Sequence, residues 1–171
     1  MQNYFELFNL KTSFFVDDEA LKKAYQAQVT RFHPDNFANK SQSEQLQALQ
    51  NTSLVNSAYT ALKTPLNRAS YLLNLEDVNP FDEKDTNMDA NFLVSQIELR
   101  EQLEGIKEQQ DDLALDDFIE QVRDFTRDNI TSISKAFTQS RDLQEIKTLV
   151  RELKFYEQLS KEANILMDEW L

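Results

Sequence analysis

Apolar side chains recur at three- and four-residue spacing along most of this chain, and the places where that rhythm breaks divide it into helices. Tyr4, Phe5, Leu7, Phe8 and Leu10 crowd the first ten residues and predict a short buried helix. Asp17 is placed to cap the next, on which Leu21, Ala24, Tyr25, Gln28 or Val29, and Phe32 follow at helical spacing. Pro34 stops it near residue 32, because proline disfavours the α conformation at His33 and has no amide hydrogen to donate. After a polar stretch from Asn36 to Ser43, Leu46, Leu49, Val55, Ala58, Tyr59 and Leu62 mark a second long helix, read as the antiparallel partner of the first. Pro65 suits the first turn of a further short helix with Leu66, Ala69, Leu72 and Leu73 on its apolar face.

The rhythm then lapses. Residues 76–88 contain Pro80, several acids and a Thr-Asn pair, the composition of a linker. Three more amphipathic patterns follow. The first carries Phe92, Leu93, Ile97, Leu99, Leu103 and Ile106; the second Leu115, Phe118, Ile119, Val122, Phe125, Ile133 and Phe137; the third Leu143, Ile146, Val150, Leu153, Tyr156, Ala163, Met167 and Trp170. A three-helix bundle buries such stripes most simply. The expected architecture is therefore all-α: an N-terminal domain over 1–75 with a helical hairpin and short flanking helices, a linker over 76–88, and a bundle over 89–171. Gly105 falls inside a helical pattern, where glycine costs about 1 kcal/mol relative to alanine, and is expected to mark a kink or an early end.

Composition agrees with helices and narrows the chemistry. One glycine and three prolines in 171 residues leave little for tight hairpins. With no cysteine and one histidine, disulfides, thiolate catalysis and cysteine zinc sites are excluded, and neither a metal nor another cofactor is expected. No apolar run is long enough to span a bilayer, and the N-terminus lacks a secretory layout, so a soluble, cytoplasmic protein is expected. The net charge of −12 argues against nucleic acid as a partner. Its distribution says more: residues 1–75 hold 7 Lys plus Arg against 6 Asp plus Glu, and residues 76–171 hold 11 against 24.

Among polar residues, His33-Pro34-Asp35 stands out between two helices. Taken alone, its plain reading is a solvated turn. An apolar short helix, a basic helix, His-Pro-Asp in the connecting loop and a returning helix ending near residue 62 together resemble a J-domain of the DnaJ type. Gln45, Asn56, Ala58-Tyr59, Leu62, Pro65 and Arg68-Ala69-Ser70-Tyr71-Leu72-Leu73 sharpen the resemblance to the HscB family, co-chaperones of iron-sulfur cluster biogenesis. Phe92-Leu93-Val94-Ser95-Gln96-Ile97-Glu98-Leu99-Arg100-Glu101 and the acidic second half resemble the C-terminal domain of that family.

That resemblance implies that His33, Pro34 and Asp35 engage the DnaK-type chaperone HscA and stimulate its ATPase, with Lys22, Lys23 and Arg31 offering a positive face to it. The bland reading of those three cations is a solvated helix face. Asn36 departs from many J-domains, in which a lysine follows the tripeptide, and thins the positive patch. The resemblance further implies that the second domain binds the iron-sulfur scaffold IscU through Phe92, Leu93, Val94, Gln96, Ile97, Glu98, Arg100, Glu101 and Phe155. Periodicity alone assigns Leu93 and Ile97 to the core. Against it, a helix cannot turn the consecutive Phe92, Leu93 and Val94 all inward, and one of Phe155 and Tyr156 should face out. Leu99 and Leu103 are the better core candidates.

No glycine-rich loop or nucleophile elbow accompanies His33, so independent catalysis is not expected. Pairs such as Asp111-Asp112 read as helix starts. The competing functions are a J-domain protein with a different client, or a helical adaptor whose tripeptide has lost its role.

Overall fold

The computed structural model describes residues 2–85 and 89–171 and contains, among them, seven α-helices and no strand. They are α1 (Tyr4–Leu7), α2 (Asp18–Arg31), α3 (Gln42–Lys63), α4 (Pro65–Leu75), α5 (Ala90–Gln109), α6 (Asp112–Thr138) and α7 (Leu143–Trp170), with one 3-10 turn, Pro34–Phe37, between α2 and α3. The chain separates into two compact units, Met1–Leu72 and Leu73–Leu171. No helix among the described residues is long and apolar enough to cross a membrane.

Local chemistry sets the helix starts. Asn3 and Ser41 form capping boxes with Glu6 and Glu44 at the heads of α1 and α3, and aspartates 17, 89, 111 and 142 accept first-turn amides of α2, α5, α6 and α7. Helix ends are less usual. With a single glycine available, the left-handed conformation falls to Asp77 after α4 and to Gln110 after α5, with φ of 58° and 51°. Gly105 does not end α5, which runs on to Gln109. An added Cβ there would meet nothing within 4 Å. Gly105→Ala is therefore expected to stabilise the chain by about 0.5–1 kcal/mol in denaturant unfolding, since glycine gives up more backbone freedom on folding.

In the first unit, α2 and α3 run antiparallel. Tyr25 stacks on Tyr59 with centroids 4.1 Å apart and donates to Asn56 Oδ1 at 2.7 Å, while Phe32, just past the end of α2, lies by Thr52, earlier on α3. Phe5, Leu21, Val55, Ala58, Leu62 and Ala69 are all but inaccessible. Leu46 and Leu49, expected on the packing stripe of α3, are exposed instead. Leu46 lies nine residues from Val55, about two and a half turns, which puts it on the opposite face. Ala48 takes the inward place. Tyr71 stacks on Tyr4 at 4.7 Å and accepts its backbone N–H at 3.0 Å, holding α1 in place.

Arg68 is buried in this unit. Its guanidinium lies 5.3 Å from the Phe14 ring centroid, and Nη1 donates at 2.9 Å to the carbonyl of Leu62, in the last turn of α3. Burial lowers its pKa, and nearby Asp18 opposes that shift. Arg68→Ala removes a donor, a ring contact and buried aliphatic stem together, and is expected to cost about 2–4 kcal/mol, measurable as a fall in denaturation midpoint.

In the second unit α6 and α7 pack along their lengths and α5 lies against both. The segment expected as a linker is not a free tether over its described part, 76–85. Pro80 is buried and its carbonyl accepts from Arg151 Nε at 2.7 Å, Lys154 Nζ sits 4.3 Å from the Phe81 ring centroid, and Asp85 pairs with Lys147. A basic run on α7 thus holds an acidic, proline-containing segment. The last three residues of that linker, 86–88, lie outside the described residues.

Candidate functional site

Two candidate sites stand on different units. In the first, α2 ends at Arg31 and Pro34 forces His33 into an extended conformation, φ −58° and ψ 137°. His33 then caps the 3-10 turn, its Nδ1 accepting from the Asp35 N–H at 3.2 Å. A neutral imidazole that accepts at Nδ1 carries its hydrogen at Nε2, pointing the donor away from the loop. The side chains of His33 and Asp35 are 53% and 91% exposed. The Asp35 carboxylate comes within 3.6 Å of His33 Nδ1 and is otherwise open to an incoming donor.

Asn36, which the sequence offered only as a missing lysine, braces the loop. Its Nδ2 donates to the Thr30 carbonyl at 2.8 Å and its backbone N–H to the His33 carbonyl at 3.0 Å. An asparagine just beyond a helix end, able to reach a last-turn carbonyl, was the available signal. Of the three cations, all exposed on α2, Lys23 and Arg31 lie within about 80° of each other around the axis, whereas Lys22 is about 180° from Arg31. They do not form one stripe. Arg31 covers the Phe32 ring at 5.2 Å, beside the loop.

The second candidate is the outward face of α5. Phe92, Leu99, Leu103 and Ile106 recur along one side and enter the core with α6 and α7. The opposite side is left with Leu93, Val94 and Ile97, which are 45%, 54% and 52% exposed. Helical geometry puts Leu93, Ile97 and Arg100 within about 60° of one another, with Val94 and Glu101 at one edge and Gln96 at the other. Glu98 is turned about 100° from Ile97 and leaves this strip. Two residues expected on the surface are core: Phe92 is 8% exposed and Phe155 7%, their rings edge to face at 5.7 Å. Phe92 is drawn in because it shares the side of Leu99, seven residues on. Phe155 and Tyr156 do not divide into one inward and one outward ring, since Tyr156 is half-buried against the same cluster.

Phe155 still reaches the surface from beneath. It floors a shallow depression of about 290 Å³ rimmed by Gln96, Arg100, Phe81, Arg151 and Lys154. Arg100 lies 5.4 Å over the Phe155 ring and reaches Glu162 on α7 at 3.0 Å. The basic rim was missed in an acidic half. Its signal was Lys147, Arg151 and Lys154 at four- and three-residue spacing, which puts them on one side of α7.

Among the described residues there is no group of three or more acidic or histidine side chains arranged to hold a metal. Both candidate sites offer surface, with charges and apolar groups presented to a partner.

Comparison with known proteins accords with this arrangement. Residues 3–71 match the DnaJ domain model, and residues 88–164 match the model described as the HSCB C-terminal oligomerisation domain. Co-chaperone protein HscB homologs from Photobacterium profundum and Vibrio cholerae are 37% and 38% identical, covering 96% and 99% of this chain and the same shares of their own. The solved structure of chaperone HscB from Vibrio cholerae superposes with a TM-score of 0.88 at 37% identity, covering 99% of this chain and 100% of its own. That of human co-chaperone protein HscB also gives 0.88, at 29% identity over 96% of this chain and 82% of its own. With a J-domain followed by the C-terminal helical domain of the same family, matched over nearly its full length, this chain belongs to the HscB family of J-domain co-chaperones.

Proposed function

We propose that this chain is a two-headed adaptor in iron-sulfur cluster biogenesis: it binds the scaffold protein IscU, delivers it to the DnaK-type chaperone HscA, and stimulates the ATPase of that chaperone. In this reading residues 1–75 act on the chaperone, 76–88 connect, and 89–171 hold the scaffold, in the cytoplasm. The observation that carries it is the exposed aliphatic strip Leu93, Val94 and Ile97, on a different compact unit from His33-Pro34-Asp35. A protein that only triggered ATP hydrolysis would have no use for such a strip.

The chemistry of each head follows from its geometry. His33 and Asp35 form a stiff, preorganised pair, so little conformational freedom is lost on docking. The Asp35 carboxylate accepts charge-assisted hydrogen bonds from a basic side chain of the ATPase, and Lys23 and Arg31 steer an acidic surface toward it. On α5, Leu93 and Ile97 anchor the scaffold, Val94, Gln96, Arg100 and Glu101 form the polar and apolar border, and Phe92 and Phe155 stiffen the face from behind. Glu98 contributes charge at the margin. Holding scaffold and chaperone on one chain raises the effective concentration of client at the chaperone.

Calorimetric titration of the intact chain with IscU tests the client assignment. Saturable one-to-one binding supports it, and absence of any binding heat at concentrations on the order of 100 µM rules it out.

A further inference from the structure

Charges along one side of α7 are answered at its two ends and left open in between. Helical geometry puts Lys147, Arg151, Lys154, Gln158 and Glu162 within about 80° of one another around the axis. At one end Lys147 pairs with Asp85, and Arg151 is taken up by the same segment, Nε donating to the Pro80 carbonyl at 2.7 Å and Nη2 to the Asp85 carbonyl at 3.0 Å. At the other, Glu162 meets Arg100 of α5 at 3.0 Å. Lys154, between them, is exposed, and neither Glu157, one turn on, nor any other aspartate or glutamate among the described residues pairs with it. Its ammonium lies instead 4.3 Å from the Phe81 ring centroid, a contact that places the charge without neutralising it.

That charge borders the depression floored by Phe155, and Arg100 borders it from the α5 side. Of the N–H donors on the Arg100 guanidinium, only those at Nη1 meet a carboxylate among the described residues. Two cations on neighbouring helices thus keep unspent donors over one hollow that is open to solvent, with the Phe81 ring beside it and the Phe155 ring beneath. Gln96 and Arg100 also belong to the border of the α5 strip, so the hollow continues the face formed by Leu93 and Ile97. Residues 76–171 hold 24 acids against 11 bases, and an incoming acidic group finds few other places on this unit where it is attracted.

We propose, resting on the reading that α5 binds the scaffold, that this hollow receives an aspartate or glutamate side chain of the scaffold and that Lys154 is the residue that fixes it. The carboxylate accepts charge-assisted hydrogen bonds from Lys154 Nζ and the Arg100 guanidinium together, and its methylene stem lies against the two rings. Leu93 and Ile97 supply affinity, whereas the pair at Lys154 sets register, since an acidic group placed elsewhere on this domain meets like charge.

The test is calorimetric titration of the intact chain with IscU at about 0.1 M and about 1 M salt, between which the screening length falls from about 10 Å to about 3 Å. At the lower salt Lys154→Gln should bind about threefold more weakly than the parent and Lys154→Glu about five- to tenfold. Both deficits should shrink to about twofold or less at the higher salt, whereas the deficit of Leu93→Ala, an apolar anchor, should persist there. Lys135→Glu, at an exposed position near the C-terminal end of α6, makes the same change in net charge and should stay within about twofold of the parent. Because Lys154 is exposed, circular dichroism melting of its variants should match the parent. With the parent binding and Leu93→Ala impaired, the docking point is overturned if Lys154→Glu binds as tightly as the parent, loses no more than Lys135→Glu, or keeps its full deficit at about 1 M salt; the scaffold reading then stands without it. A parent that fails to bind IscU removes both.

Discussion

Replacing His33 with glutamine is expected to lower stimulation of the DnaK-type ATPase by on the order of tenfold or more, equivalent to about 1.4 kcal/mol of lost differential interaction. The imidazole has two tasks that a glutamine side chain cannot combine. Its Nδ1 holds the Asp35 N–H at 3.2 Å and so shapes the turn, while Nε2–H is left for the partner. Glutamine is flexible and leaves the Asp35 amide to solvent, so the acceptor carboxylate loses its fixed position. His33 is substantially exposed and contributes little packing, so helicity and melting temperature should change by no more than an ordinary surface substitution, within about 0.5 kcal/mol. Affinity for IscU should also persist, because the α5 strip belongs to the other unit. Undiminished stimulation by His33→Gln, with its fold intact, would remove the tripeptide from the mechanism.

Leu93→Ala should do the reverse. It is expected to weaken IscU binding about tenfold or more, in the range of an aliphatic anchor at the centre of an interface, and to leave ATPase stimulation in the absence of scaffold unchanged. Because Leu93 is already 45% exposed, folding stability should hardly fall. Phe155→Ala supplies the contrast. That ring lies inside the cluster formed with Phe92, Leu103 and Leu159, and its removal should cost about 3–5 kcal/mol of stability whatever it does to binding. A variant that loses binding without losing stability identifies surface, and one that loses both identifies support. Should Leu93→Ala unfold the bundle, the outward reading of α5 would be wrong.

Local signals carried the helices far into the right register. Asp17, Asp111 and Pro65 each sit where a helix begins, because capping and proline chemistry act over one turn and are written in neighbouring residues. Leu99 and Leu103 could be read as core because their spacing leaves no other side for them once Val94 is turned out. Legibility failed where two apolar faces compete for one interior. Leu46 and Leu49 look like core partners of Val55 in a list of leucines, yet the small Ala48 takes that place since α2 and α3 approach closely, with Tyr25 and Tyr59 stacked at 4.1 Å. Phe92 belongs to a consecutive apolar triplet, and only the rotation of α5 decides which of the three turns inward. The anchoring of Pro80 and Asp85 by α7 joins residues more than sixty positions apart, beyond the reach of any local pattern. The tripeptide was legible only with its flanking helices, and its geometry adds what no motif contains: the Nδ1 contact, and the brace from Asn36 to Thr30.

An adaptor of this kind couples a scaffold to a chaperone ATPase through one chain. Steady-state ATP hydrolysis by HscA, measured with the chain alone, with IscU alone and with both, tests it most directly. The adaptor account requires the rate with both to exceed the sum of the two separate stimulations, and requires that excess to disappear with either His33→Gln or Leu93→Ala. A rate with both present that equals the separate contributions would contradict it.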